Sequence, residues 1–206
     1  MAQIKIGVVG ANGRMGQEIL QILSENKLAK PTVGFVRSGK AQGFPESGNS
    51  LSATLLKKTN VLIDFSTLEN FEDVLKICAQ NKIPLVSGTT GLKEKEFKAL
   101  KKYSKETPIL WSPNMSLGIA ALKEALKVFS ALKGFDFQIE EFHHNKKKDN
   151  PSGTALFLQQ ELLEQTQAKV PEPLCIRGGG IFGVHKVWAM SENETLCFEH
   201  QALNRK

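Results

Sequence analysis

Cysteine is scarce in this sequence of 206 residues. The three cysteines, Cys78, Cys175 and Cys197, are an odd number and have no Cys-x-x-Cys spacing. This pattern indicates neither a disulfide framework nor a zinc site, and it fits a protein of the reducing cytoplasm.

Long apolar runs are missing as well. No run approaches the roughly 18 apolar residues of a membrane span. The first residues, MAQIKIGVVGA, lack the apolar core and the cleavage site of a secretory signal. We therefore expect a cytoplasmic protein that does not enter a membrane.

Aromatic residues amount to only 7% of the chain, although its net charge is +6. The charge favours an anionic partner, which leaves open nucleic acid, a phosphorylated cofactor or a carboxylate substrate. Nucleic acid finds little support, because aromatic residues are few and no nucleic-acid-binding motif is present.

The first half of the chain alternates short apolar runs with helical patterns. This alternation is typical of right-handed crossovers in a parallel sheet. Ser66 and Glu69 have the spacing of a capping box, and the Gly/Ser-rich residues 38–50 are expected to form a loop. Strands are predicted at 4–9, 32–36, 61–65, 84–87 and 108–111, and helices at 14–27, 66–81 and 92–105.

The pattern changes after Pro113, and antiparallel pairing is expected from there on. Helices are predicted at 117–132 and 152–165, and strands at 135–142, 181–190 and 195–200. The predicted fold class is therefore α/β, with a Rossmann-type parallel sheet in residues 1–114 and a smaller α+β domain in residues 115–206.

A glycine-rich turn separates the first predicted strand from the first helix. Its glycines are spaced as G-x-x-G-x-x-G, a variant of the dinucleotide-binding pattern found in several reductases. The backbone amides here could hold a pyrophosphate, whereas the alternative is a tight turn without a ligand. The turn residues predicted to bind the cofactor are Gly10, Ala11, Asn12, Gly13, Arg14 and Met15.

The second predicted strand lacks the acidic residue that often follows it and holds the ribose hydroxyls of NAD. Arg37 stands there instead, with Ser38 and Lys40 beyond it. This arrangement suits a 2′-phosphate, so NADPH is preferred and NADH stays possible. A solvated basic loop is the alternative.

Two further loops follow the fourth and fifth predicted strands. Ligands bind at the carboxyl edge of an open parallel sheet, so both loops are expected near the nicotinamide, although each taken singly is more simply a turn or a helix cap. The loop residues predicted to bind the cofactor are Gly88, Thr89, Thr90, Ser112, Pro113, Asn114 and Met115.

A Ser-Gly-Thr turn, residues 152–154, opens a predicted helix just after the lysines at 146–148. Free amides, two hydroxyls and cationic side chains suit a small dianion, and a solvated charge run is the alternative. His143 and His144 end an alternating strand, so their rings should point to opposite faces. No metal site is predicted, and a histidine here could act as an acid or a base.

Seven motifs occur in order along the chain. The longest, E-x-H-H-x-x-K-x-D-x-P-S-G-T-A, spans residues 141–155. The others are G-A-x-G-R-M-G at 10–16, I-D-F-S at 63–66, G-T-T-G at 88–91, P-N-M-S-x-G at 113–118, G-x-x-G-x-H-x-V at 180–187 and H-x-A-x-x-R at 200–205. Together they resemble the signature of the dihydrodipicolinate reductase (4-hydroxy-tetrahydrodipicolinate reductase) family.

The resemblance implies a cytoplasmic enzyme of the diaminopimelate route to lysine. Such an enzyme reduces a cyclic dicarboxylate to tetrahydrodipicolinate with NADH or NADPH. The resemblance implies acid/base work for His143, proton donation by Lys147, and a second domain that binds substrate and joins four chains into a homotetramer. The residues implied to bind the substrate are His144, Ser152, Gly153 and Thr154.

Members of the family continue beyond the last motif with a segment that returns to the cofactor domain, whereas this sequence ends at Lys206. The alternative is therefore a non-catalytic dinucleotide-binding or regulatory protein of the same fold. The presence of His143, His144 and Lys147 counts against it, because a sensor need not keep them.

Overall fold

The computed structural model describes residues 2–204. The chain divides into two compact units between Pro113 and Asn114. Within the described residues, no helix is long and apolar enough to cross a membrane.

The first unit contains one sheet and four helices. Its strands are β1 (Ile4–Val9), β2 (Ala29–Phe35), β3 (Glu46–Gly48), β4 (Val61–Asp64), β5 (Leu85–Ser87) and β6 (Ile109–Trp111). Its helices are α1 (Arg14–Glu25), α2 (Ala53–Leu56), α3 (Leu68–Asn81) and α4 (Glu94–Tyr103).

The six strands of the first unit are all parallel and lie in the order β3-β2-β1-β4-β5-β6. The predicted Rossmann-type sheet is confirmed. Because the chain direction across the sheet reverses between β1 and β4, the carboxyl ends of these two strands form the crevice in which such sheets bind a ligand.

Apolar side chains cover both faces of this sheet. Leu75 of α3 belongs to the same buried core as Leu62 of β4, and Leu23 of α1 belongs to a second core with Val8 of β1. Burying each such side chain contributes about 1.5–3 kcal/mol, which holds the helices against the strands.

Two local predictions in the first unit are wrong, and one short helix was missed. The expected loop 38–50 contains β3, whose sequence ESG has no apolar pattern, and the short helix α2 was not predicted. The expected capping box is absent, since α3 starts after Thr67 without a side-chain cap. The amide of Ser66 instead donates to Oδ1 of Asp64 at 2.9 Å.

The second unit contains a smaller mixed sheet and two α-helices, which confirms the predicted α+β class. Its helices are α5 (Leu117–Leu126), which continues into a 3₁₀ helix (Lys127–Ala131), and α6 (Gly153–Thr166). Its strands are β7 (Asp136–His143), β8 (Leu174–Arg177), β9 (Gly183–Met190) and β10 (Thr195–Ala202). The predicted helix 117–132 is thus shorter, and β8 was missed.

The second sheet has the order β10-β9-β7-β8. The strand β9 is antiparallel to β7 and β10, as expected, whereas β8 runs parallel to β7. Every second residue of β7 and β9 is buried, and Ile139 and Val187 join the core formed with Leu158 of α6. The same alternation continues to the ends of both strands, where it buries polar residues.

Candidate active site

The glycine turn of the first unit leads directly into the uncapped start of α1. Gly10 has a φ of +78°, and a Cβ there would lie 2.8 Å from the carbonyl oxygen of Phe65. Only glycine fits such a position. Gly13 offers no side chain to cap α1, so the first amides of that helix remain available to an anion.

A cleft of about 700 Å³ opens beside this turn. It brings together Gly10 and Arg37, which the sequence predicted, with Asp73 and Lys76 of α3, which it did not. The signal for the missed pair was the spacing of three residues on α3, which places both side chains on one face of the helix. A cleft of this size is suited to part of a dinucleotide.

Asn12 anchors the loop that follows β2. Its side-chain amide donates to the carbonyl oxygen of Lys40 at 3.0 Å, and its Oδ1 accepts from the amide of Gln42 at 2.9 Å. Asn12 therefore fixes the segment next to Arg37. Both polar atoms of its side chain bond to the protein backbone.

Asp64 organises the carboxyl edge of the first sheet and was missed as a site residue. It is fully buried, and its Oδ2 accepts hydrogen bonds from the hydroxyls of Ser87 at 2.9 Å and Thr89 at 2.8 Å. The Thr89 side chain thus points inward, which leaves Thr90 as the exposed threonine of this loop. An acidic residue at the end of an apolar strand was the available signal.

The two predicted loops at this edge are linked. The carbonyl oxygen of Ser87 accepts from the amide of Ser112 at 3.1 Å, and the Trp111 indole donates to the carbonyl oxygen of Thr89 at 2.9 Å. Asn114 and Met115, also predicted to bind the cofactor, fall in the second unit.

Glu141 is the centre of the polar cluster in the second unit. Its Oε1 accepts from Nη2 of Arg177 at 2.6 Å and from the amide of Ser152 at 3.0 Å, and its Oε2 contacts Nδ1 of His143. Burial raises the pKa of the Glu141 carboxyl, but the bonds from Arg177, Cys175 and Ser152 outweigh burial and lower it to about 2. The carboxylate is therefore ionised at neutral pH.

Two neighbouring histidines are held neutral. Burial lowers the pKa of His143, although the charge of Glu141 acts against this shift. Burial lowers the pKa of His185 to about 4, and a proton on His143 would act in the same direction. The two rings lie 5.2 Å apart, and Nε2 of His185 is 3.3 Å from the hydroxyl of Ser152.

The predicted Ser-Gly-Thr turn forms the start of α6. Ser152 caps the helix, its Oγ accepting from the amide of Ala155 at 3.2 Å, and the hydroxyl of Thr154 accepts from the side chain of Asn114 at 2.9 Å. No atom lies within 4 Å of the position that a Cβ of Gly153 would take. The helix terminus is therefore open at Gly153.

Lys147 pairs with Asp149 at 2.8 Å beside the start of α6. Burial raises the pKa of Asp149, but its bond with Lys147 and a bond from the amide of Gly153 outweigh burial and lower the pKa. A cation and a helix amide thus already hold one carboxylate at this place.

The second unit brings the predicted His143, Lys147 and Ser152 into one cluster together with Glu141 and Arg177, whose roles sequence reasoning missed. The strand alternation could have pointed to Glu141, which occupies a buried position of β7. His144 is half-buried, and its carbonyl oxygen accepts from the amide of Lys147 at 3.1 Å.

Glu141, His143 and His185 each offer one potential metal-ligand atom, and these atoms lie within 4.8 Å of one another. The guanidinium of Arg177 already neutralises the carboxylate, and a further cation beside it would be repelled. The absence of a resident metal stays a prediction. The last sequence motif ends at Arg205, which lies outside the described residues.

Comparison with known families covers both units. Residues 4–115 match the family described as "Dihydrodipicolinate reductase, N-terminus", and residues 115–206 match "Dihydrodipicolinate reductase, C-terminus". This chain belongs to the dihydrodipicolinate reductase family. The resemblance inferred from the seven motifs is confirmed, and family membership does not favour the non-catalytic alternative.

Two relatives agree with this family, and one solved structure shares the fold. The 4-hydroxy-tetrahydrodipicolinate reductase of Bdellovibrio bacteriovorus is 51% identical over 205 residues, which cover 100% of this chain and 85% of that protein. The one of Campylobacter lari is 37% identical over 98% of this chain and 87% of its own length. The fold is similar to that of dipicolinate-bound dihydrodipicolinate reductase from Paenisporosarcina sp. TG-14, with a TM-score of 0.82 at 20% identity, over 98% of this chain and 89% of that one.

Proposed function

We propose that this chain is an NAD(P)H-dependent oxidoreductase that reduces 4-hydroxy-tetrahydrodipicolinate to tetrahydrodipicolinate in the diaminopimelate route to lysine. The observation that carries the proposal is the buried His143 beside an open helix terminus flanked by Lys147, in a chain of this reductase family. The enzyme acts in the cytoplasm.

The dinucleotide binds to the first domain, residues 1–114. The glycine turn and the first amides of α1 would hold its pyrophosphate, and the cleft lined by Arg37, Asp73 and Lys76 would hold its adenosine. Arg37 and Lys76 suit the 2′-phosphate of NADPH, whereas Asp73 can accept from the ribose hydroxyls of NADH. Both cofactors are therefore used, and NADPH is preferred.

The substrate binds to the second domain, residues 115–206. A ring carboxylate bonds to the amides of Gly153 and Thr154 and replaces Asp149 as the partner of Lys147. Lys147 then donates the proton that accompanies the hydride, and His143 acts as acid or base. His144 and Ser152 complete the contacts to the dicarboxylate.

The outer face of the second sheet joins four chains into a homotetramer. Leu174 and Ile176 of β8 are 53% and 47% exposed. Phe142 and Trp188 are half-buried at positions that alternate with the buried residues of β7 and β9. An apolar sheet face of this kind is typical of an interface between subunits. Light scattering should give four chains for the native protein and fewer for Ile176→Glu.

The function is tested by following NADPH and NADH oxidation, with substrate made in place from pyruvate and aspartate semialdehyde. Lys147→Ala should lower kcat about 10²- to 10⁴-fold while cofactor binding is unchanged. Lys146→Ala is the matched control, because Lys146 is an exposed neighbour of the same charge. Wild-type protein that binds NADPH without turnover would favour the regulatory alternative.

The preference for NADPH over NADH is tested with a separate variant. Arg37→Gln should raise KM for NADPH about tenfold, which corresponds to roughly 1.4 kcal/mol, and leave KM for NADH unchanged. An equal change for both cofactors would contradict a role of Arg37 at the 2′-phosphate.

A further inference from the structure

The buried pair of Glu141 and Arg177 lies beside the histidine that the proposed function uses. The Glu141 side chain is fully buried and that of Arg177 is 17% exposed. Nη2 of Arg177 bonds to Oε1 of Glu141 at 2.6 Å and to the carbonyl oxygen of Asp149 at 2.8 Å. Such pairs contribute little net stability because both charges lose their hydration, so a role in specifying geometry is the better explanation.

The contact between Glu141 and His143 determines which ring nitrogen carries the proton. An ionised carboxylate only accepts hydrogen bonds, so its contact through Oε2 with Nδ1 of His143 favours the tautomer that carries the proton on Nδ1. The ring as a whole is neutral, since burial lowers its pKa. A neutral imidazole has one N–H, which leaves Nε2 with a free lone pair.

The other side of the ring is open. Among the described residues, none forms a hydrogen bond to Nε2 of His143. Gly183 of β9 lies next to this nitrogen, and a Cβ there would come within 3.0 Å of it. The absence of a side chain at Gly183 therefore leaves room for a ligand at Nε2.

We propose that Glu141, anchored by Arg177, is a positioning residue that keeps the His143 proton on Nδ1 and presents the unprotonated Nε2 to the substrate as a hydrogen-bond acceptor. The same carboxylate holds the amide of Ser152 at 3.0 Å, so it also fixes the start of α6 where the substrate carboxylate binds. This inference takes the identity of the substrate from the proposed function. The position of the proton on His143 does not depend on that function.

The variant Glu141→Gln should change the proton position on His143 and still hold the amide of Ser152. Oε1 faces two donors, Arg177 and the amide of Ser152, so the glutamine carbonyl must take this place. Its NH₂ group then points at Nδ1 of His143. Because a donor now faces Nδ1, the proton of the imidazole moves to Nε2, which loses its role as an acceptor.

The experiment combines kinetics with ¹⁵N NMR of histidine-labelled full-length protein, the His143 signals being assigned with a His143→Gln variant. Wild type should show His143 protonated at Nδ1, and Glu141→Gln should show it protonated at Nε2. kcat should fall about 10²- to 10⁴-fold while KM changes less than about threefold, because α6 keeps its acceptor. Glu140→Gln is the matched control and should behave as wild type, since Glu140 lies on the opposite face of β7 and bonds to Trp188.

A second pair of variants keeps the test decisive if Glu141→Gln does not fold. The charged groups around His143 are Glu141, Arg177, Lys147 and His185. Arg177→Gln removes the charge that balances Glu141, so the NMR titration of His143 should move up by about one pH unit or more, and Arg177→Lys should restore it.

Two results would overturn the proposal: a wild-type His143 protonated at Nε2, or a titration that Arg177→Gln leaves in place. The proposed function fails separately, when wild type does not oxidise NADPH with this substrate although the Nδ1 proton is observed.

Discussion

Among residues 2–204, each unit contains one fully buried carboxylate near the end of a strand, Asp64 in the first and Glu141 in the second. Asp64 is bound by neutral groups, the hydroxyls of Ser87 and Thr89 and an amide. Glu141 is bound by the guanidinium of Arg177 and touches an imidazole. The two carboxylates have the same burial and each accepts from one backbone amide, but only Glu141 has charged and titratable side-chain partners.

This difference in partners matches the function proposed for each unit. Neutral hydroxyl and amide partners hold the loops of the first sheet in place, as the binding of a cofactor requires. Charged and titratable partners make the second site sensitive to proton position, as acid/base chemistry requires. All four histidines of the chain lie in the second unit, which extends the contrast beyond the two carboxylates.

The largest loss of stability is expected when either of the two carboxylates is replaced by alanine. Glu141→Ala should destabilise the second unit by about 3–5 kcal/mol, because it leaves the charge of Arg177 nearly buried and unpaired. Asp64→Ala should destabilise the first unit by about 1–3 kcal/mol, because it leaves only neutral hydroxyls unsatisfied.

Urea unfolding can be followed in each unit separately, since the chain has two tryptophans, Trp111 in the first unit and Trp188 in the second. A Trp188→Phe background reports on the first unit, and a Trp111→Phe background reports on the second. Equal losses in the two units would mean that the chemistry of the partners does not matter.

A smaller loss of stability is expected when the pH is lowered. The pKa of His185 is lowered to about 4 in the folded protein, whereas an unfolded histidine titrates near 6.5. The unfolded chain therefore binds more protons between these values, and stability falls as the pH drops through this window. Between pH 7.5 and pH 5, His185 should reduce the free energy of unfolding of the second unit by about 2 kcal/mol.

The first unit, which has no histidine, should keep its stability over the same range. His185→Asn should remove most of the pH dependence of the second unit, since asparagine does not titrate. Parallel curves for the two units from pH 7.5 to pH 5 would contradict the assignment of this dependence to His185.

The sequence was sufficient to predict the strands and helices that have a strong local pattern. Apolar runs such as Ile4–Val9 and the glycine spacing after it predicted the Rossmann-type sheet, and alternation along residues 135–142 predicted β7. The short β3 and β8 were missed because three or four residues carry no periodic signal, and their pairing with β2 and β7 decides their conformation.

The site was predictable only where its residues are adjacent in the chain. His143, Lys147 and the Ser-Gly-Thr turn stand close together in the sequence, whereas Arg177 and His185 come from β8 and β9 and reach Glu141 through the sheet register. Arg177 is the register partner of His143, and His185 that of Glu141. Such contacts depend on strand pairing, which local patterns do not determine.

The smallest effect, about 1 kcal/mol or less, is expected for Asp64→Asn. The asparagine carbonyl can accept from the amide of Ser66, and its NH₂ group can donate to the hydroxyls of Ser87 and Thr89, which accept as well as donate. At Glu141 no such reversal is possible, because a guanidinium only donates. Urea unfolding followed by Trp111 should therefore place Asp64→Asn near wild type, with NADPH affinity retained. A loss as large as that of Asp64→Ala would mean that the negative charge of Asp64, rather than its hydrogen-bonding geometry, holds the cofactor loops.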